Sequence, residues 1–250
     1  MNKISLSIKI YILLVFLLAI LAAIYIFLPQ GSFSSMLPEQ SFPASKPILA
    51  LVNAAVMLIL YGGLGFIGLK LSQKLDFPKI WDEKVSNKQR FLTPALIGGA
   101  IGIVFILTDI VLAEFNIIGH IPHPQFPASL VGSATAGIGE EIIFRLFFIP
   151  FWLWLISYVL LKKRWQNLIF WILLVISALI FSAGHFYSIM IILGFTSISQ
   201  IPLVFLAELV FLNSLLGIFS GYYFRKFGFL AAVSVHFWTD IVWHVIWGII

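Results

Sequence analysis

Long apolar stretches recur along the whole chain, and short polar segments separate them. A helix of about 20 apolar residues crosses a bilayer, whereas the strands of membrane barrels give alternating segments of about ten residues. The pattern therefore predicts an all-α fold, a polytopic transmembrane helix bundle of about seven to eight spans. The candidate spans lie at 10–28, 48–70, 93–115, 128–161, 167–192, 202–224 and 229–249.

The fourth apolar segment is too long for one straight span, and Pro150 lies inside it. Proline removes a helical hydrogen bond and clashes with the preceding turn, so we expect a kink or a break there. An eighth, shorter helix or a re-entrant piece is the alternative at this place. We divide the chain into N-terminal membrane helices at 1–127 and a helical core at 128–250.

Composition supports a membrane protein and removes several kinds of site. The chain is 61% hydrophobic and 10% charged, with a mean hydropathy of +1.08. The absence of cysteine excludes disulfides, thiolate metal ligands and a cysteine nucleophile. The net charge of +5 does not indicate nucleic-acid binding, because the basic residues collect in the loops between spans.

The basic residues alternate between the two sides of the predicted bundle. They fall in the N-terminal tail and after spans two, four and six, at Lys3, Lys9, Lys70, Lys74, Lys79, Lys84, Lys88, Arg90, Lys162, Lys163, Arg164, Arg225 and Lys226. The loops at 29–47, 116–127 and 193–201 contain Lys46 as their one basic residue. Because cytoplasmic loops are enriched in lysine and arginine, we expect a multi-pass protein of the cell membrane with a cytoplasmic N-terminus.

Three formal charges interrupt the fourth apolar segment, at Glu140, Glu141 and Arg145. Charged groups in a bilayer are costly, so they usually face the bundle interior and serve a site. Glu141 and Arg145 are four residues apart and share a helix face, where an ion pair offsets part of the desolvation cost. Glu140 points about 100° away and has no local partner. An unpaired carboxylate in apolar surroundings is suited to act as a general base.

Two later spans carry polar groups that are candidates to meet this cluster. His185 follows the small residues Ser182, Ala183 and Gly184, which permit close helix packing. His236 and Asp240 are four residues apart on one face of the last span.

The remaining intramembrane polar residues have simpler interpretations. A lone histidine in a membrane helix is more often a packing residue, and we interpret His244 in this way. Asp109, Glu114 and Glu208 are interpreted as buried structural carboxylates or as residues near an interface, with Glu208 the best functional candidate of the three.

The ordered motifs resemble those of the CPBP family, which comprises type II CAAX prenyl proteases and bacteriocin-processing or bacteriocin-immunity proteins. The similarity covers about residues 128–250 and rests on three motifs, with Gly217-x-x-x-Gly221 before the last: Glu140-Glu141-x-x-x-Arg145, Phe181-x-x-x-His185 and His236-x-x-x-Asp240. It implies an intramembrane endopeptidase acting on a peptide or protein at the membrane, either membrane-associated or lipidated.

The resemblance also implies roles for single residues. Glu140 would activate the attacking water with His185, and Glu141 and Arg145 would hold the site together. His236 and Asp240 would stabilise the tetrahedral oxyanion.

Asp240 departs from the family pattern, which often has asparagine there. An ionised aspartate repels an oxyanion, so Asp240 must be protonated, orient His236 or bind a metal. Glu140, His185, His236 and Asp240 would suit zinc as a ligand set, but no His-Glu-x-x-His pattern is present. The cofactor is therefore either none or zinc.

Two other classes of function compete with the protease. The first is a non-catalytic immunity or scaffold protein that keeps the same fold. The second is a small proton-coupled transporter, because intramembrane glutamate and histidine also make proton relays. The absence of visible inverted repeats disfavours the transporter.

Overall fold

The computed structural model describes residues 5–29 and 44–250. In this part of the chain, seven helices are long and apolar enough to cross a membrane. They are α1 (Leu6–Tyr25), α2 (Lys46–Lys74), α3 (Lys88–Ala113), α4 (Ala128–Leu160), α5 (Gln166–Leu193), α6 (Leu203–Phe227) and α7 (Phe229–Ile249). The predicted all-α bundle of seven spans is thus confirmed, and the helix ends differ from the predicted ones by a few residues. Most of the loop predicted at 29–47 lies outside the described residues.

The fourth segment is one continuous helix, so of the two outcomes expected at Pro150, a kink or a break, the break is absent. A wide, π-helical stretch at Ile142–Phe148 precedes the proline, and regular helical bonding restarts at Ile149. Pro150 lies in the first turn of that regular segment, where the absence of a backbone N–H costs little helix stability. Among the described residues there is no eighth spanning helix.

Helix α7 lies at the centre of the bundle. It has the largest buried share of the seven spans, 56%, and packs against α3, α4 and α6. Helix α5 packs along α6, and α1 packs against α2 and α4. Residues on α7 therefore face several other helices at once, which is where a site assembled from distant segments can form.

A single glycine joins α6 to α7. Gly228 has a φ of +85°, and a side chain there would come within 3.0 Å of the Lys79 carbonyl oxygen. Only glycine adopts this backbone conformation without strain, so the connection is a tight hairpin. The two helices are consequently held in a fixed register.

The loop between α2 and α3 is organised around a buried arginine. Arg90 donates to the carbonyl oxygens of Asp82 and Val85 at 2.6 and 2.8 Å, and its guanidinium lies 3.9 Å from the Trp81 ring. The carboxylate of Asp82 accepts from the backbone N–H of Lys84, which holds the pKa of that carboxyl below its usual range. Hydrogen bonds from the Arg90 guanidinium to backbone carbonyl oxygens therefore order the loop at this end of the bundle.

A buried carboxylate fixes the loop at the opposite end, between α3 and α4. Asp109 accepts from the backbone N–H of Ile121 at 2.9 Å, and its other oxygen lies 2.7 Å from His120 Nδ1. The indole N–H of Trp247 also donates to it, at 3.4 Å. Asp109 thus has the structural role expected of it from the sequence.

Candidate functional site

The two neighbouring glutamates of α4 have different surroundings. The side chain of Glu141 is fully buried, whereas that of Glu140 is 34% exposed. Glu140 borders two cavities, one among α3 to α7 and a second between α1, α2 and α4. As expected from the sequence, the two side chains point to different sides of α4. The Glu141 carboxylate lies in the packed interior, and the Glu140 carboxylate lies in accessible space.

Glu141 connects α4 to α7. Its Oε1 atom lies 2.8 Å from His236 Nδ1 and 3.4 Å from Arg145 Nη1. A carboxylate only accepts hydrogen bonds, so Nδ1 of His236 carries the proton and donates to Glu141. Glu141 therefore fixes both the tautomer and the orientation of the imidazole, as carboxylates behind functional histidines do.

The guanidinium of Arg145 is fully buried among helices. Besides Glu141, it faces the rings of Phe144 and Phe181, at 5.8 and 5.0 Å from the ring centroids. A side chain at Gly217 of α6 would lie 3.0 Å from Arg145 Nη2, so the missing Cβ leaves the room that the cation occupies. The predicted ion pair is present, and a glycine of the Gly217-x-x-x-Gly221 motif makes space for it.

The second nitrogen of His236 lies between two carboxylates. Its Nε2 atom is 3.6 Å from Glu140 Oε2 and 3.6 Å from Asp240 Oδ2. The imidazole is 2% exposed. Through its two nitrogens it connects the buried Glu141 with the accessible Glu140. Asp240 lies one turn along α7 from His236, on the same face of the helix.

His185 shares the cavity with Glu140 but makes no hydrogen bond or ion pair with it among the described residues. Its Nδ1 lies 2.9 Å from the carbonyl oxygen of Phe181, one turn back on α5. A carbonyl only accepts, so Nδ1 carries a proton, and in the neutral form of the imidazole Nε2 keeps its lone pair. The Phe181 ring contacts both imidazoles, with centroids 4.9 Å from His185 and 5.8 Å from His236.

The cavity that brings these groups together has a volume of about 220 Å³. Glu140, His185, His236 and Asp240 all line it, whereas Glu141 and Arg145 lie behind its wall. The sequence did not determine at which depth in the membrane these side chains meet, because His236 comes early in its span. The structure places all four groups against one space inside the helix bundle.

Residues 122–242 match the family model described as Rce1-like, type II CAAX prenyl endopeptidase. They form an Rce1-like domain. The resemblance to the CPBP family is thereby confirmed, and all six predicted site residues lie inside the matched range. The protein is thus a multi-pass membrane protein with a domain of a protease family. No curated protein and no solved structure matches the chain.

Within residues 5–29 and 44–250, no group of three or more histidine, aspartate or glutamate side chains is placed to hold a metal ion. His185 Nδ1 is engaged by a carbonyl and His236 Nδ1 by Glu141, so neither contact occupies the Nε2 atom of its imidazole. The expected cofactor, none or zinc, stays a prediction.

Two residues that line the cavity of the Rce1-like domain were not predicted as site residues. Asn213 of α6 donates one N–H to the Leu209 carbonyl oxygen at 2.8 Å, which leaves its second N–H and its oxygen available. His244, interpreted as a packing residue, lies 2.9 Å from His123 of the α3–α4 loop, Nδ1 to Nδ1. Asn213 could have been identified from the sequence, because it is an amide within an apolar span. No sequence motif connects His244 to His123.

Proposed function

We propose that the protein is an intramembrane endopeptidase that hydrolyses a peptide bond with a water molecule activated by Glu140. The observation that carries the proposal is the shared cavity, in which a partly exposed carboxylate and two histidines meet inside a membrane-spanning bundle. The match of residues 122–242 to a protease family supports the same reaction class.

Glu140 is the general base of the proposed reaction. It is the accessible carboxylate of the adjacent pair, and its Oε2 atom lies 3.6 Å from His236 Nε2. It removes a proton from water as the oxygen attacks the peptide carbonyl, and a positioned base of this kind contributes about 10²–10⁴-fold to the rate. The protonated Glu140 then gives this proton to the amide nitrogen as the C–N bond breaks, which releases a neutral amine and a carboxylic acid. The free lone pair of His185 Nε2 accepts the second hydrogen of that water and orients it.

Glu141 and Arg145 are positioning residues. They lie behind the cavity wall and touch no substrate, but Glu141 holds His236 at 2.8 Å and Arg145 balances the charge of Glu141. A side chain held on a rigid helix by such a network keeps its geometry during the reaction.

The developing oxyanion requires donors, and Asp240 is unsuited to that role when it is ionised. Asn213 supplies an uncharged N–H in the same cavity, and His236 in its protonated form supplies another from Nε2. We therefore assign oxyanion stabilisation to Asn213 and His236, and orientation of His236 to Asp240.

The decisive experiment is proteolysis of a peptide library by purified wild-type protein in detergent, followed by the same assay on Glu140→Gln. The substitution keeps the size of the side chain and removes its basicity, so we expect turnover to fall by about 10²–10⁴-fold with nearly unchanged thermal stability. Glu83→Gln is the matched control, because Glu83 is exposed in the α2–α3 loop and does not line the cavity.

Wild-type turnover in Glu140→Gln would show that another group activates the water. A library left uncut by a wild-type protein of normal stability would favour a non-catalytic protein with the same fold.

A further inference from the structure

A second, positively charged groove shares no lining residue with the cavity of the candidate site. It lies where α2 and α6 end and α5 begins, and its volume is about 660 Å³. We call it the basic groove, and its lining includes Asp76, Gln166, Trp171, Tyr222, Arg225 and Lys226. Because three spans begin or end around it, the basic groove lies at the level where the bundle meets the membrane surface.

The guanidinium of Arg225 is held in the basic groove by two aromatic rings. Its central carbon lies 4.7 Å from the centroid of the Phe77 ring and 5.2 Å from that of Phe170, and both rings are buried. Its N–H groups make no hydrogen bond or ion pair among the described residues, and they are accessible from the groove. Stacking on rings leaves the edge of a guanidinium free, and this edge matches two oxygens of a phosphate. Arg225 is therefore a positioned cation with open donors.

The other charges of the basic groove leave it positive. Lys226 is exposed, and its Nζ atom lies 5.1 Å from the centroid of the Tyr222 ring. Asp76 is the one acidic residue of the lining. It attracts Arg225, but it is exposed and makes no ion pair within the part of the chain that the structure describes. Two cations and one solvated carboxylate favour an anionic ligand.

An apolar strip on α5 leads away from the basic groove along the outside of the bundle. Trp171 lines the groove and is 41% exposed, and its ring centroid lies 6.4 Å from that of Tyr222. Leu168 and Val175 are three and four residues from Trp171 and are also exposed, so the three side chains share one helix face. Tryptophan and tyrosine at the end of a span are typical of the boundary between headgroups and hydrocarbon. The groove and the strip together fit a ligand with a charged head and an apolar chain.

We propose that the basic groove binds the phosphate headgroup of an anionic membrane lipid, whose acyl chain lies along the strip on α5. Arg225 binds the phosphate through its open edge, and Lys226 supplies a second positive charge. Basic pockets between transmembrane helices bind anionic headgroups in this way. A free phosphate ion would use the same cations but would leave the apolar strip without a ligand, so the lipid is the occupant that uses all these features. This site does not depend on the proposed function.

The position of the groove also predicts an effect on stability. Gln166 already connects α5 to the end of α2, because its side-chain N–H donates to the Leu75 carbonyl oxygen at 3.0 Å. A lipid held by α6 and lying against α5 adds a further link between spans. Since it binds only the folded bundle, it should raise the Tm of the protein.

The proposal is tested by binding of phosphatidylglycerol and phosphatidylcholine, labelled on matched acyl chains, to the purified protein in neutral detergent. The two lipids share their apolar part and differ in net headgroup charge. We expect phosphatidylglycerol to bind more tightly by at least about fivefold, and to raise the Tm more than phosphatidylcholine does. Equal binding of the two lipids would overturn the proposal.

Variants of the cations show whether the lipid occupies this groove. Arg225→Gln removes the fork of N–H donors and should weaken phosphatidylglycerol binding by about tenfold. Arg225→Lys keeps the charge without the fork, so its affinity should lie between those of wild type and Arg225→Gln. Lys226→Gln changes an exposed side chain and should weaken binding by about fivefold. The matched control is Arg164→Gln, because Arg164 is exposed in the loop before α5 and does not line the groove. Its binding should be nearly unchanged.

An equal loss of affinity in Arg164→Gln and Arg225→Gln would assign the binding to general surface charge and overturn the proposal. If Arg225→Gln does not fold, the comparison of Lys226→Gln with Arg164→Gln decides the same question. Displacement of the labelled lipid by millimolar inorganic phosphate would identify a site for a free anion, which would contradict the lipid as its occupant.

Discussion

The end of the bundle at the α2–α3 loop (the basic end) and the half that holds the cavity (the cavity end) each adjoin a buried arginine, and they use it differently. At the basic end, Arg90 is 2% exposed and donates to carbonyl oxygens of the α2–α3 loop. Behind the cavity wall, in the middle of α4, Arg145 is fully buried and balances Glu141, with aromatic rings as its other neighbours. One cation shapes a loop, and the other maintains a charged network inside the bundle. In this molecule, the buried arginine that adjoins the candidate site is the one paired with an ion, Glu141, which in turn contacts another helix through His236.

The largest effect on stability is expected from breaking the buried pair. Arg145→Leu leaves Glu141 without its cation, and Glu141→Gln leaves the guanidinium alone. Removing one partner of a buried pair typically costs about 3–5 kcal/mol. We expect each variant to lose this much stability in detergent and to lose activity as well, measured by thermal unfolding and peptide cleavage.

The double variant Glu141→Leu/Arg145→Leu sharpens the test, because it leaves no unpaired charge from the couple. Its stability should recover in part, while its activity should stay low because His236 has lost its acceptor. Arg90→Leu is the control at the other end: its carbonyl partners lie in a loop that water can reach, so activity should persist. Full activity in the double variant would mean that Glu141 does not position His236.

The next largest effect, on the rate of cleavage, is expected at Asn213, the proposed oxyanion donor in the cavity. Asn213→Ala removes the amide, and loss of one such donor typically costs about 10²–10³-fold in kcat. We expect kcat to fall by this factor with KM little changed, measured with any peptide that the wild-type protein cuts. Asn167→Ala, an exposed amide on α5 toward the basic end, is the control. A fall in binding alone would assign Asn213 to substrate contact.

A smaller, pH-dependent effect on stability is expected from His123 in the α3–α4 loop, which contacts His244. Burial lowers the pKa of His123 to about 4, although Asp109 acts in the opposite direction. The unfolded chain binds this proton near pH 6.5, so stability is complete above pH 6.5 and falls as the pH drops toward 4. The Tm of wild-type protein should therefore fall between pH 7 and 5 more steeply than that of His123→Gln.

His120→Gln serves as the comparison for His123→Gln, because the His120 side chain is 57% exposed. An identical slope for wild-type and His123→Gln would place the acid sensitivity in another group, of which His244, 2.9 Å away, is the first to examine.

The smallest effect is expected at Asp240. In the metal-free scheme, Asp240→Asn keeps the shape beside His236 and removes one negative charge from the cavity, so activity should be preserved or rise by a few-fold. Chelator should leave both proteins active. Stoichiometric bound zinc, with activity lost on chelation and in Asp240→Asn, would support the alternative metal scheme.

The sequence predicted the spans because apolar length is a direct physical requirement of the bilayer. It also predicted the Glu141–Arg145 contact, since a spacing of four on one helix determines a shared face. The partner of His236 was not predictable from spacing, because Glu141 lies 95 residues away and only packing brings them together. The same holds for Asn213, which shares the cavity through the arrangement of α6 and α7.

The break that was one of two outcomes expected at Pro150 is absent for a physical reason. Proline rules describe regular α-helix, and the wide turn at Ile142–Phe148 changes the bonding pattern before Pro150. The division at residue 128 stays a prediction, although the cavity also uses Phe105 and Ile121 from the preceding part of the chain.

The contact between Glu141 and His236 has a consequence for biogenesis. Helix α4 enters the membrane with Glu140, Glu141 and Arg145, and insertion costs about 2.5–3.5 kcal/mol for a charged side chain at a helix centre. His236 is synthesised 95 residues later. Until α7 has been inserted and docked, Glu141 and Arg145 lack the imidazole that joins their network, and the proposed site is incomplete. Under the proposed function, cleavage of any neighbouring nascent chain therefore has to wait until α7 has docked against α4.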